Sequence, residues 1–576
     1  MKTLWVRLVL CSLFHSACPS DVLAQTPLVT WQTVDQGLGG SGVLKPVISD
    51  AGQVAYPNKT NGFSLGVVGT PVQRNLQPYL LSSGLGVETA YVVAGDNGRV
   101  AYLLGKGIVD DAPGASQVLA AENGQVPGLP LGVQFNLLTF SSGYFSMTPS
   151  GVFAFPSILK GAGITSSGST GINDQVVIRG PSGALQPIAR AGGAAPGLPA
   201  GYLFVGQLTR RFDTVINRDG VTAIRARATL WNPPNPFAVQ NADGIWLHDP
   251  VGGLRLAVTS VSSGTNPFGD NAPGTDGARF SAITIGPSIN DEGYIAFAAS
   301  TFNFASSPPT KTGIWSGPTN DLRPVHLFGM AVPGMSGVVF SNPVDNASIK
   351  LGVGRMVCFS TLIAGTGISD TNNIAVFIGT STNDARLLAR IGTQAPGMPA
   401  GVNFASLPGD TTVVFGSNRV AIRATITGPG VTAGVNDRGL WITDNQGDLK
   451  LAVRAADVAP TDHGDQLMAG DFVIQHGTGR DGLPSSGGRA DRLAVFNSGV
   501  VNGSYAYVMA VGATVPSVPT LNRSFGGGNL TFSWPAGFKL QRTGSVPPTN
   551  WVNIATNSPH FVPATNQQGF FRLAWP

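Results

Sequence analysis

The sequence predicts an all-β fold, a β-propeller of four-stranded blades followed by a small C-terminal β module. Three observations carry that prediction. A turn followed by a short apolar strand recurs along the chain; the composition is rich in turn formers, with Gly 77 and Pro 42; and no stretch shows a convincing helical period. Only 11% of residues are charged, against about 25% in an average soluble domain, and long exposed helices would need more Glu and Lys. The repeat also means that most of the 576 residues form one array rather than several unrelated domains.

Residues 1–24 read as an export signal, with Lys2 and Arg7 basic, Leu8 to Phe14 apolar, and Val22-Leu23-Ala24 offering small-residue cleavage before Gln25. A buried N-terminal strand is the weaker reading, because the repeat starts only after this segment. A lipoprotein site at Cys18 is disfavoured by His15, where an aliphatic residue is wanted. Cleavage would leave Cys358 as the only cysteine, so no internal disulfide is expected. It would also lower the net charge from +4 to +3. Basic residues are dispersed singly, which argues against a nucleic-acid surface. No later apolar run approaches the roughly 18 residues of a membrane span.

Residues 25–511 form the repeat array. Its marker column is Ala55, Ala101, Ala154, Ala223, Ala296, Val357, Ala421 and Ala494. Three residues earlier stand Gly52, Gly98, Gly151, Gly220, Gly293, Gly354, Asn418 and Asp491, residue types that tolerate positive φ in a turn. The marker strand is apolar on both faces, as in Ile295-Ala296-Phe297 and Val100-Ala101-Tyr102, so it should be covered on both sides. Ala allows close approach and the aromatic column fills the other side; a ligand-stacking ladder is the functional alternative. A second strand appears as Gly244-Ile245-Trp246, Gly313-Ile314-Trp315 and Gly439-Leu440-Trp441. A third ends in Arg190, Arg390 and Arg454, which would either ring an opening or pair with turn carboxylates.

The most literal repeat is the link from third to fourth strand, Ala195-Pro196-Gly197-Leu198-Pro199-Ala200-Gly201, returning from Ala395 to Gly401 and, as Val126-Pro127-Gly128, to Gly132. Pro presets φ and Gly accepts positive φ, which suits a type II turn. Four strands per unit give a propeller, with a β-solenoid as the alternative. Leu28 to Val34 resembles a late blade strand, and by completing a blade begun at the C-terminal end it would close the ring. Eight blades are expected, with seven as the alternative count.

The Asn-x-x-Gly-x-x-Ala-Phe pattern, clearest from Asn290 to Phe297 and looser from Asn217 to Ile224, resembles the tandem repeat named for it in secreted bacterial proteins. The resemblance spans roughly residues 28 to 510. It implies an exported propeller, often with a variable C-terminal attachment module and no assigned reaction. Residues 512–524 read as a linker and residues 525–576 as the module, with strand candidates at Leu530–Trp534, Phe538–Arg542, Trp551–Ile554 and Phe570–Leu573. It is similar to short modules that end such proteins, through Trp534-Pro535-Ala536, Trp551 and Phe571-Arg572-Leu573. Surface attachment and a packing cap are both consistent with about 50 residues.

No local motif assigns a catalytic residue. His248, His326, His463, His476 and His560 include no pair at zinc-ligand spacing. Asp462, His463 and Asp465 are the one local cluster of potential metal ligands, read otherwise as a solvated loop. The turns Asn290-Asp291-Glu292-Gly293 and Asn217-Arg218-Asp219-Gly220 suggest calcium or, more simply, Asx turns. Cys358, placed in the column of Tyr56 and Phe297, should be buried and inert. No cofactor is expected beyond that calcium alternative. The expectation is a monomeric protein, secreted or at the cell surface, that binds an extracellular polysaccharide, protein or surface partner through ring-face loops. An extracellular hydrolase or lyase with carboxylates in the central channel, and a structural surface protein, are the alternatives.

Overall fold

The computed structural model describes the chain from Val29 to Ala574 apart from connecting segments, the longer being 39–46, 76–90, 138–144, 166–172, 231–239, 261–268, 303–310, 476–491, 512–521 and 544–551. It forms two compact units, Thr30–Val511 and Gly512–Pro576. No helix occurs among the described residues.

The larger unit consists of eight sheets, antiparallel except for one parallel pairing of Val29–Leu38 in the last. Numbered along the chain, blades 1 to 7 occupy residues 47–75, 91–121, 133–190, 202–259, 279–327, 338–390 and 403–454. Blade 8 combines Asp471–Gln475, Arg492–Ser498 and Ser504–Val511 with Val29–Leu38 from the other end of the chain. The innermost strand of each blade touches the preceding blade, and Val47–Ile48 of blade 1 touches Arg492–Ser498 of blade 8. The ring is therefore closed, and the fold is an eight-bladed β-propeller sealed by its N-terminal strand.

Within a blade the marker strand is second from the centre. Thr222–Leu230, for example, pairs on the inner side with Tyr202–Val205 and Asp213–Ile216, and on the outer side with Gln240–Asp249, which pairs in turn with Gly253–Thr259. The fifth strand of blades 3, 4, 6 and 7 is thus an interrupted innermost strand; in blade 5 it is continuous as Arg279–Ile289, with three register shifts. This phasing corrects one expectation. The Pro-Gly segment does not punctuate one blade but links the outermost strand of one blade to the innermost strand of the next.

The turn column behaves as its residue types require. Gly98, Gly151, Gly220, Gly293 and Gly354 lie at φ between 64° and 87°, and Asn418 at φ 65°; Gly52 and Asp491 lie outside the described residues. The marker alanines from Ala55 to Ala421 are fully buried. In blade 6 the expected register is one residue off. Cys358, not Val357, sits opposite Lys350 and Ile378, and Phe359 opposite Phe377, matching Ala296 and Phe297 opposite Ser316 and Trp315. The hairpin has the same length, with Lys350 paired to Cys358 as Ser288 is to Ala296, but its positive-φ Gly354 stands four residues before the alanine column instead of three, so Cys358 fills that column.

The Gly-x-Trp strands are held by one repeated device. Trp246, Trp315 and Trp441 are fully buried and donate Nε1–H to the carbonyls of Pro196, Pro273 and Pro396 in the link that enters their own blade, at 2.9 to 3.0 Å. Each meets a Phe of the innermost strand edge to face, Phe204, Phe280 or Phe404, with centroids 4.9 to 5.0 Å apart, a geometry worth about 0.5–1.5 kcal/mol beyond area burial. The ring lies over the residue two positions earlier, so a Cβ on Gly244, Gly313 or Gly439 would stand 2.5 to 2.6 Å from it. Blade 6 has the shorter Phe377 in this column, two residues after Ala375. Opposite this column in blades 2 to 7, the outermost strand carries a one-residue bulge.

The C-terminal unit has two three-stranded sheets, Asn522–Gly526 with Asn529–Ser533 and His560–Pro563, and Val552–Ala555 with Lys539–Thr543 and Phe570–Ala574. Phe532, Trp534, Leu540 and Phe571 form its core. Two of these strands, Asn522–Gly526 and His560–Pro563, were not among the strand candidates of the sequence. The first begins inside the expected linker because its pairing with Asn529–Ser533 outweighs its polar composition.

Candidate functional site

Alternating strand direction gives the ring two different faces. The Asn-x-x-Gly turns and the turns before the outermost strands lie on one, called the turn face. The connections from second to third strand and the Pro-Gly links lie on the other, the link face. The ring's last strand, Ser504–Val511, runs toward the turn face, because it is antiparallel to Arg492–Ser498.

On the turn face, side chains tie blade to blade. Asn217 Oδ1 accepts Val221 N–H at 2.8 Å while its Nδ2 donates to Asn290 O at 3.0 Å. Asn290 repeats the motif, accepting from Tyr294 N and donating to the carbonyls of Gly352 and Gly354 at 2.9 Å. Blade 6 has Gly352 in the Asn position, its N–H meeting Met356 O as Asn290 N–H meets Tyr294 O, and Asn418 of blade 7 accepts Val353 N–H at 2.7 Å instead. Arg179 donates to Gly220 O at 2.8 Å, Glu292 accepts Gly354 N–H at 2.9 Å, and Arg355 reaches back to Asp321 and lies over the Tyr294 ring. The turns are therefore Asx turns in use, with Asn oxygens committed to backbone amides.

The described carboxylates hold structure as well. Asp213 pairs with Arg225 at 2.6 Å and Asp243 with Arg227 at 2.7 Å. Asp249 accepts Gly252 and Val251 N–H, which holds it below the ordinary carboxylate range. Burial pushes Asp174 and Asp270 up, the direction a general acid needs. They stand on different blades, and Asp270 is engaged by Thr259 N–H at 2.8 Å; no described contact brings the two together. His326 is buried between blades 5 and 6, with Nε2 2.9 Å from Thr361 Oγ1, and burial pushes its pKa down to about 4. Cys358 is fully buried, which pushes its thiol up to about 12, so it carries no thiolate at neutral pH.

The sequence candidates fall as follows. Val458–Thr461 and Gly464–Leu467 form a hairpin added to the outer edge of blade 8, with Thr461 opposite Gly464. Asp462 and His463 join its strands and lie outside the described residues, while Asp465 pairs with Pro460. Among the described residues no three His, Cys, Asp or Glu side chains converge as metal ligands. Arg190, Arg390 and Arg454 lie on outermost strands, at the rim and not around the channel; Arg454 pairs with Asp457 at 3.1 Å. The aromatic column is core, with Tyr102, Phe155 and Phe297 buried. The innermost segments next to the turn face, Ser146–Met147, Asp213–Ile216, Ile349–Leu351 and Thr412–Phe415, are buried throughout.

The link face has a different character. Leu131, Leu203, Phe302, Phe328, Met330 and Val435 all project there, Leu131 at 91% exposure. Among the described residues of the ring, Val251 is the one exposed large apolar side chain on the turn face; Val118 lies on the rim, and Val458 and Leu467 on the blade 8 hairpin. The sequence signal for this face was present but unread, since it required knowing which connections share a side.

Fold and turns together define an internally repeated propeller whose faces differ in chemistry. The chain belongs to DUF7453, a family of unknown function, whose model matches it twice, over residues 46–263 and 261–498. The first match spans blades 1 to 4, half the ring, and the second spans blades 5 to 7 with Asp471–Gln475 and Arg492–Ser498 of blade 8. The Gln clip of the links also recurs four blades apart, with Gln125 and Gln394 each receiving Gly N–H at 2.9 Å, from Gly132 and Gly401. No curated protein matches the sequence. Solved structures similar to the chain include a protein of unknown function from Dyadobacter fermentans (11% identity, 67% of this chain and 100% of that one, TM-score 0.27). A Hadza microbial sialidase (10%, 72% and 73%, 0.25) and the Penicillium chrysogenum alpha-L-arabinanase (9%, 69% and 94%, 0.23) are similar at the same level. At such TM-scores these likenesses say nothing of activity, and the sheet order itself defines the fold.

Proposed function

We propose that the protein is a non-catalytic, extracellular binding propeller whose partner, a polysaccharide, protein or surface, engages the link face. The observation that carries this reading is the concentration of exposed large apolar side chains on that face, from Leu131 to Val435. Single exposed apolar residues are ordinary, but their gathering on one side of a ring whose other side is tied by hydrogen bonds and ion pairs marks a contact surface. The ionised groups described above support binding over hydrolysis, because they are spent on turns and blade contacts.

The test is a glycan and peptide array screen of the chain from Gln25 onward, followed by titration of any hit. The double variant Leu131→Asp, Phe302→Asp should weaken that binding at least tenfold, and Val251→Asp on the turn face should leave it unchanged. The reading fails if no array member binds, or if Val251→Asp abolishes binding and the link-face variant does not.

A further inference from the structure

Blades 1 to 7 are each built from consecutive strands, whereas blade 8 requires a segment more than 400 positions away from its neighbours in sequence. Val29–Leu38 lies between Val458–Thr461 and Ser504–Val511, with strands on both sides of it. Its pairing with Val458–Thr461 is parallel, Trp31 opposite Thr461, and Val29 is buried. On its C-terminal side the segment is joined to blade 1 only through residues 39–46. Val29, Thr30, Thr33 and Val34 favour the extended state, and Asp35 is the one charged residue in the strand.

We propose that Val29–Leu38 is an exchangeable latch. The slot between Val458–Thr461 and Ser504–Val511 is a binding site for an extended peptide, and the chain's own N-terminal strand is its resident ligand. The latch can pair only once Ser504–Val511, the last strand of the ring in the chain, is in place, and residues 39–46 alone tie it to blade 1, so it docks last and leaves first. Its departure opens the ring locally without unfolding the seven complete blades. It also exposes the backbone edge of Ser504–Val511, which accepts a strand from elsewhere, such as the same segment of a second copy. The latch then regulates whether the ring is sealed or open to strand exchange.

The test uses the intact chain from Gln25 onward. Native-state hydrogen exchange should show amides of Val29–Leu38 exchanging at least tenfold faster than those of Arg492–Ser498. A labelled peptide of residues 25–38, incubated with the same protein, should be captured to a 1:1 limit. The peptide carrying Thr33→Pro, which removes a ladder donor, should not be captured. Equal exchange in both strands, absence of capture, or equal capture of the proline peptide would each overturn the proposal.

Discussion

Acidification should weaken the boundary between blades 5 and 6 through His326. The imidazole is buried among Phe340 and Phe359, with ring centroids 4.9 and 5.7 Å away. Thr361 Oγ1 donates to a backbone carbonyl, Asn342 O at 3.2 Å or Leu362 O at 3.1 Å, so it is the acceptor of Nε2–H. Burial lowers the pKa from 6.5 to about 4, against a smaller opposing contribution from backbone hydrogen bonding at Ser341. The unfolded chain therefore binds a proton that the folded chain does not, and stability falls as pH drops below 6.5 and levels off below about 4. At about 1.4 kcal/mol per pH unit, the loss amounts to about 3 kcal/mol. Urea unfolding between pH 3.5 and 8, compared with His326→Phe, isolates this contribution, because carboxylate titrations are common to both proteins. The stability difference between the two should shift in favour of the variant by about 3 kcal/mol from pH 7 to pH 4. Parallel pH profiles would refute the placement of a neutral, buried histidine.

Gly439→Ala should lower stability by about 1–3 kcal/mol, since its Cβ would stand 2.5 Å from the Trp441 ring; loss of the Trp near-ultraviolet dichroism would accompany the lowered melting point. Asn290→Ala removes the acceptor for Tyr294 N–H and the donor to Gly352 and Gly354. It should cost about 1–3 kcal/mol by chemical denaturation, with Asn290→Asp failing to rescue because it cannot donate. Cys358 should resist alkylation in the native protein and react on unfolding. Cys358→Ala should cost no more than about 1–2 kcal/mol, because alanine already fills the same column in neighbouring blades.

Much of the ring was legible because each local device needs a particular residue. A positive φ at the turn selects Gly or Asn, and close packing of neighbouring blades selects Ala296 and its equivalents. A link closing back on its own blade selects Pro-Gly. The closing strand could also be read from its similarity to a late blade strand. The phase of the blades was less legible, because Phe204 and its equivalents look like the end of one unit as readily as the start of the next. The register of Cys358 depended on Gly354 standing one place earlier in its turn than Gly293 does, which counting columns from the glycine cannot see. Why Gly precedes Trp by two positions emerged only when the indole was seen lying over Gly244, Gly313 and Gly439.

The candidate site was hardest to read because it rests on residues that no local rule constrains, and the link face shows why such residues can vary. In the links to blades 3 and 7, Gln125 and Gln394 satisfy the backbone of the whole turn. Each Nε2 lies 3.0 to 3.2 Å from three carbonyls, Val126, Leu129 and Pro130 in one case and Ala395, Met398 and Pro399 in the other, among which its two hydrogens are shared, while each Oε1 receives a glycine N–H. One side chain at the base of the link thus fixes its shape, and the side chain at its tip is released from any structural task. Leu131 and Ala400 occupy that tip in two links of the same conformation. On the turn face the opposite holds, since Asn290 and Glu292 each bind the next blade. A ring built this way can change what it contacts on the link face without disturbing the contacts that keep it closed.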